Sequence, residues 1–265
     1  MRLKKHLLRV IMKSKFRHQW LADQQKRAYI SNIKYNMKNI LITGSNGNLG
    51  QAVAIKFLNE GYHVTGTISP GSKVATNIHF ANYNQVSVDL TDATASHNFI
   101  ATVIDDFGFI DIAVLTAGGF AMGNMDNTAS ADIMHQYKLN FETAFNVARP
   151  VFKQMMLQNN GRIFLIGSRP GLDAIHGKGM IAYALSKSLL FRLADLMNEE
   201  ARGTEVFTSV VVPGTIDTPT NRIAMPNANF SSWVTPSAIA EVIFSYCTQK
   251  GSSIRDPLIK LYKED

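Results

Sequence analysis

The chain has 265 residues, 46% of them apolar, with one cysteine and a formal net charge of +7. The length suits one large α/β domain or two small ones. A lone Cys247 excludes an intrachain disulfide, and no apolar run reaches the ~18 residues that span a bilayer. A reduced cytosol is therefore the expected compartment, with Cys247 read as a core residue and no metal site or membrane span expected.

The charge belongs to one end. Residues 1–36 hold ten Lys or Arg against a single acid, Asp23, whereas the rest of the chain holds 17 basic and 19 acidic groups. A basic body would suggest nucleic acid, but a nearly neutral body with a basic appendage does not. Residues 1–36 are therefore read as an extension outside the fold, and residues 37–265 as the domain. Leu3, Leu7, Leu8 and Ile11 could form one face of a short basic helix. Three readings of the extension stay open: an upstream start ahead of Met37, an organellar targeting segment, or an arm for anionic lipid or nucleic acid.

The domain begins with Asn39-Ile-Leu-Ile-Thr-Gly-Ser-Asn-Gly-Asn-Leu-Gly50. Ile40 to Ile42 reads as a buried strand, Gly44, Gly47 and Gly50 as a glycine-rich turn, and Gln51 to Glu60 as a helix stopped by Gly61. Such a unit can cradle a pyrophosphate: glycines let the backbone approach, and the first free N–H groups of the helix point at the anion. The plainer reading is a tight turn with no ligand. His63 to Thr67 is a second strand. An NAD-binding unit is expected to carry an acid ~20 residues after the glycines, on the ribose 2′-hydroxyl, yet no acid occurs between Glu60 and Asp89. Thr67, Ser69 and Lys73 suit the 2′-phosphate of NADP better, with NAD as the alternative.

Gln85 to Asp89 alternates as a third strand. Thr91 is a candidate N-cap for a helix through Phe107. Ile110 to Leu115 is a fourth strand, ending in Thr116-Ala-Gly-Gly119. Ala131 to Met156 reads as mostly helical. Arg162 to Gly167 is a fifth strand leading into Ser168, and Ile181 to Arg202 a long helix. Val206 to Val212 is a sixth strand, closed by Pro213-Gly214. Thr235-Pro236 caps a helix to about Gln249, and Pro257 to Tyr262 is a last strand. Alternating helices and short apolar strands predict a single Rossmann-type α/β fold, a doubly wound parallel sheet with helices on both faces. Ligands bind such sheets at the carboxyl ends of the strands. The first glycines, Thr116 to Gly119, Ser168 and Pro213-Gly214 all fall there and would line one crevice.

Tyr183 and Lys187 are four apart and share a helix face. A phenol is a poor acid–base group near neutral pH unless a neighbouring ammonium favours the phenolate. With that help the pair can move a proton to or from a developing alkoxide, and Ser168 could hold the carbonyl oxygen. His176 is read as a solvated loop residue.

Taken in order, Thr43-Gly-Ser-Asn-Gly-Asn-Leu-Gly50, Asp89-Leu90, Thr116-Ala-Gly-Gly119, Asn140, Ser168, Tyr183-xxx-Lys187 and Pro213-Gly-Thr-Ile-Asp-Thr218 resemble the short-chain dehydrogenase/reductase family over nearly all of residues 38–262. The resemblance implies that Tyr183 is the general acid–base, Lys187 also holds the nicotinamide ribose, Ser168 orients the substrate and Asn140 anchors a water in the proton relay. It implies a cofactor site of Gly44, Ser45, Asn46, Gly47, Asn48, Leu49, Gly50, Thr67, Ser69, Asp89, Leu90, Ala117, Gly118, Tyr183, Lys187, Pro213, Gly214, Ile216 and Thr218. Two departures stand out: the glycine spacing is atypical for the classical subgroup, and Thr116 takes the place of an Asn. Ala117 to Asn124, Asp217 to Arg222 and Met225 to Trp233 look like the corresponding parts of dihydropteridine reductases, although that enzyme has an acid after the second strand and lacks the active-site Ser.

The expected function is hydride transfer between a nicotinamide, NADP ahead of NAD, and a small-molecule carbonyl or alcohol. A dihydropteridine reductase is one alternative, and a non-catalytic NADP-binding redox sensor another. The resemblance also implies a homodimer or homotetramer. Nucleic-acid binding would rest on the basic arm alone and is not expected.

Overall fold

The structure is a computed structural model that describes residues 37–72, 78–251 and 253–262. The chain divides into Met1–Lys38 and Asn39–Asp265. The expectations for residues 1–36 and for Lys73 lie outside the described residues.

The second unit is built on a seven-stranded sheet in the order β3-β2-β1-β4-β5-β6-β7. The strands are β1 (Asn39–Thr43), β2 (His63–Ile68), β3 (Tyr83–Ser87), β4 (Ile112–Leu115), β5 (Asn160–Ile166), β6 (Glu205–Pro213) and β7 (Leu258–Leu261). Every pairing is parallel, with Ile40 opposite both Val64 and Ile112, and Val211 opposite Ile259. The chain runs outward from β1 to β3, then returns to the middle and runs the other way from β4. That reversal opens a crevice beyond the carboxyl ends of β1 and β4.

Helices cover both faces, as the apolar runs require. On one face α1 (Asn48–Asn59) and α9 (Pro236–Cys247) bury Val53, Phe57, Ile239, Ile243 and Cys247 against Ile40, Ile42 and Val114. On the other, α2 (Ala93–Phe107), α4 (Thr143–Gln158) and α7 (Ile181–Glu200) bury Ile100, Val147, Val151, Met155 and Leu190 against Leu41, Ala113 and Leu165. Leu41 and its neighbours Ile40 and Ile42 thus serve opposite layers, which is why β1 is buried throughout and apolar at its centre. Among the described residues, no helix is long and apolar enough to cross a membrane.

Local chemistry moves several boundaries. The first helix starts at Asn48, so the last glycine of the turn is already helical. The third strand starts and ends two residues earlier than its alternation suggested. The N-cap of α2 is Asp92, not Thr91: its carboxylate accepts from Thr94 N at 2.7 Å and Ala95 N at 3.0 Å. Thr91 instead bonds Asp89 through both its backbone N and its hydroxyl. The helix read over 131–156 is three pieces: α3 (Ser130–Tyr137), a π-helical segment Lys138–Glu142, and α4. Pro150 stays inside α4 without ending it.

Two short helices follow β5, α5 (Arg169–Leu172) and α6 (Ala174–Gly177), and α8 (Pro219–Ala224) follows β6. All three lie past strand carboxyl ends, on the side of the crevice.

Candidate active site

The glycine turn is constrained by its own backbone. Gly44 has a φ of +62°, a left-handed conformation that favours glycine. A Cβ on Gly50 would sit 2.2 Å from the Gly44 carbonyl oxygen. The turn is closed by Gly47 N donating to Gly44 O at 2.9 Å. Gly47 is the N-cap of α1, with no side-chain cap and no acid in the first turn. The N–H groups that open α1 therefore face a cleft of about 390 Å³ lined by Gly44, Asn46 to Gly50, Ser69, Asp89, Leu90, Ala117, Gly118, Ile216 and Thr218, among others. A bare helix N-terminus beside compulsory glycines fits a pyrophosphate. No carboxylate stands at the end of β2, where Ser69 and Pro70 line the wall.

Not every expected cofactor residue reaches that cleft. Ser45 and Thr67 are fully buried beneath it. The Ser45 hydroxyl donates to Thr67 O at 3.2 Å and accepts from Gln85 Nε2 at 2.9 Å. Gly66 leaves the room for this, since a Cβ there would lie 2.3 Å from Ser45 Oγ. Pro213 and Gly214 also stand outside the cleft lining, Pro213 buried as the last residue of β6 and Gly214 bonded to Leu261 O at 3.1 Å. The turn they begin brings Ile216 and Thr218 to it. Thr116 ties two strand ends together, its hydroxyl donating to Thr43 O at 2.5 Å, while Ala117 N donates to Thr43 Oγ1 at 3.1 Å. A threonine does here what its short hydroxyl allows, fixing the backbone of Ala117 and Gly118.

Gly118 joins this cleft to the second group of residues. A Cβ on it would lie 2.6 Å from Asn140 Oδ1 and 3.3 Å from Lys187 Nζ. Lys187 is buried, and its ammonium donates to Ile166 O at 2.9 Å. Burial pushes this amine down to about 8. Tyr183, on the preceding turn of α7, is hydrogen-bonded to Ser168. Burial raises the phenol above its ordinary value, and the Ser168 bond partly offsets that. The Lys187 ammonium, one turn further on, is held by the Ile166 carbonyl. The phenol is therefore protonated near neutral pH, and it remains a weak acid until a neighbouring charge favours the phenolate. Ser168 itself is held by Gly171 N donating to its Oγ at 3.2 Å, which fixes the hydroxyl at the mouth of β5.

Asn140 is buried in the π-helical segment. Its Oδ1 accepts from Gly119 N at 2.9 Å, and its Nδ2 donates to Gln136 Oε1 at 2.9 Å and Ser186 Oγ at 3.1 Å. Both amide hydrogens are thus used, and the side chain acts as a clamp between α3, α7 and the turn after β4. The sequence reading missed Gln136 and Ser186. Both carried a signal: Gln136 is four residues before Asn140 on a helix, and Ser186 precedes Lys187. His176 is not simply solvated: its Nδ1 is 2.6 Å from Asp173 Oδ1, and Arg169 contacts its Nε2. That nitrogen must accept from a guanidinium, so Nδ1 carries the proton toward Asp173. Phe120, also missed, packs edge-on against Tyr183 with ring centroids 5.0 Å apart.

Comparison with known proteins agrees with this arrangement. The dihydropteridine reductase of Dictyostelium discoideum is 30% identical over 236 residues, covering 81% of this chain and 90% of that protein. The 2,3-dihydro-2,3-dihydroxybenzoate dehydrogenase of Escherichia coli (strain K12) is 30% identical over 190 residues, 71% of this chain and 73% of its own length. The NADP-bound structure of ElxO superposes with a TM-score of 0.76 over 85% of this chain and 97% of that one, at 23% identity, a likeness of fold. The family model described as short chain dehydrogenase matches residues 38–228. The chain therefore belongs to the short-chain dehydrogenase family, and it is an NAD(P)-dependent oxidoreductase.

Proposed function

We propose that the protein is an NADP(H)-dependent carbonyl reductase in which Tyr183 delivers the proton. The observation that carries this is the Tyr183–Ser168 hydrogen bond, with the phenol held protonated by burial, next to a glycine cleft that Gly118 joins to Lys187. The nucleotide, when bound, supplies the hydride. Ser168 and Tyr183 would hold the carbonyl oxygen between two hydroxyls, and the Tyr183 proton would pass to that oxygen as it gains charge. Lys187, buried beside Gly118, would meet the ribose side of the site and place positive charge near the phenol. Asn140 would keep Gly118, Gly119 and α7 in register. Its side-chain amide hydrogens are committed to Gln136 and Ser186, so any relay water would be held by main-chain groups.

NADP is favoured over NAD by the wall after β2, which offers Ser69 and Pro70 and no carboxylate, and by the NADP in ElxO. Ser69→Asp should reverse the preference. A carboxylate there repels a 2′-phosphate and accepts a 2′-hydroxyl, so the kcat/KM ratio of NADPH to NADH should fall by about tenfold or more. An unchanged ratio would place the phosphate elsewhere.

A second reading, dihydropteridine reductase, is supported by the Dictyostelium relative, which the alignment covers almost end to end. The test of both is NADPH oxidation with a panel of diketones, quinones and quinonoid dihydropterin. Turnover of none of them with the nucleotide still bound would favour a redox sensor instead. We further propose residues 37–265 as the catalytic unit, with 1–36 outside it and free of nucleic acid. A protein beginning at Met37 should keep its kcat/KM. Exposed Phe145 on α4 and Leu185, Leu189 and Leu196 on α7 support a homodimer or homotetramer, which light scattering would measure. The reduced Cys247 supports a cytoplasmic setting.

A further inference from the structure

The large apolar side chains that this protein leaves in solvent are not scattered. Among the described residues, the six most exposed include Leu157 on α4 and five others: Phe120, Met122, Met125, Ile175 and Ile223. Their exposures run from 58% at Phe120 to 85% at Ile175. All five lie on the three segments that follow β4, β5 and β6, at the carboxyl edge of the sheet where Ser168 and Tyr183 stand. The first two of those segments are stitched together, Gly123 N donating to Gly179 O at 2.8 Å and Ile181 N to Gly123 O at 2.9 Å. That stitch sets the Met122 methyl against Gly179 and leaves Phe120 against Tyr183 at 5.0 Å. Phe120 thus carries apolar surface up to the proton donor, with Met122 two residues on.

The charges on the same segments are largely answered by one another. Asp173, His176 and Arg169 form a hydrogen-bonded chain. Asp217 takes both Arg222 Nε at 2.6 Å and Nη2 at 2.7 Å. The other two, Asp126 and Lys178, are exposed and of opposite sign. An ionic or heavily polar substrate leaving water needs partners to replace its hydration. Such partners are scarce here, while exposed apolar area beside a few fixed polar groups marks a ligand site.

We infer that the substrate is an uncharged ketone or diketone with a flat apolar ring body, seated against Phe120 and Met122. This rests on the reading of Tyr183 as proton donor. The step balances simply. The carbonyl carbon gains the hydride of a reduced nicotinamide, the C=O π pair moves to oxygen, that oxygen takes the Tyr183 proton, and the phenolate regains a proton from solvent, leaving the alcohol and oxidised nucleotide.

The experiment uses the full chain, NADPH, and four probes: butane-2,3-dione, cyclohexane-1,2-dione, phenanthrene-9,10-dione and pyruvate. Removing a ring-sized apolar body from water should raise kcat/KM about thirtyfold or more from the first dione to the third, mostly through KM, with pyruvate the poorest. Phe120→Ala and Met122→Ser should each lower the ratio of phenanthrenedione to butanedione kcat/KM by about fivefold. These side chains are exposed, so thermal melts should confirm folded variants. A size-independent kcat/KM, a preference for pyruvate, or ratios unmoved in both variants overturns the inference while Tyr183-dependent reduction stands. Turnover of no probe, with NADPH bound, overturns the carbonyl-reductase reading itself.

Discussion

Tyr183→Phe should reduce kcat for carbonyl reduction by about 10² to 10⁴ while leaving NADPH affinity within about twofold. The phenylalanine keeps the ring against Phe120 and removes only the hydroxyl bonded to Ser168. What disappears is the proton source at the substrate oxygen, together with one of its two hydrogen-bond donors. Folding should suffer little, since one net hydrogen bond contributes about 1 kcal/mol. Steady-state rates with a diketone, paired with the fluorescence of bound NADPH, separate the two effects. Equal rates for wild type and variant on every substrate would mean that Tyr183 is only a packing residue.

The second large effect falls on the cradle. Gly50→Ala should abolish nucleotide-induced stabilisation and lower the melting temperature of the free protein. The new methyl would be placed 2.2 Å from the Gly44 carbonyl oxygen. That atom is main chain and cannot swing aside, so either Gly44 or the start of α1 must move. Overpacking of this kind costs about 1–3 kcal/mol, and the displaced N–H groups no longer converge on one anion. Gly61→Ala is the matched control. Gly61, unlike Gly50, has a positive φ, +80°, and nothing lies within 4 Å of the added methyl. It should lose about 1 kcal/mol of stability and keep its shift with NADPH. If both variants lost that shift equally, the cradle would not be the nucleotide site.

The contrast between these glycines marks what could be read from the chain alone. Gly44, Gly47 and Gly50 announced themselves because a strand, a turn and a helix need them at fixed spacing. The central strands were legible because a parallel sheet covered on both faces gives them short apolar runs, as at Ile40 to Ile42. Other features had no such mark. No residue between Lys138 and Glu142 signals a π-helical segment; it sits where α3 packs on α7 and α4 on α2, with Asn140 bonded to Ser186 at the junction. Ser45 and Thr67 were expected at the nucleotide, but both side chains are buried, and the Ser45 hydroxyl is bonded to Thr67 O and Gln85 Nε2. The clue was Gly66, whose missing side chain makes room for Ser45. The i, i+4 spacing of Tyr183 and Lys187 likewise gave no sign of the acceptor that holds the ammonium, the Ile166 carbonyl.

Lys187 also makes the fold's stability depend on pH in a definite sense. Burial lowers this amine from 10.5 to about 8. Between those values the unfolded chain holds a proton that the folded chain has released. By linkage, its contribution to stability therefore rises as pH climbs from about 8 to 10.5, and the penalty for burying charge is fully present below that window. Lys187→Met removes the penalty: it should melt at least about 3 °C higher than wild type at pH 7, lose that advantage toward pH 10, and turn over no ketone at a measurable rate. The residue nearest the chemistry would then be one that the fold would be more stable without.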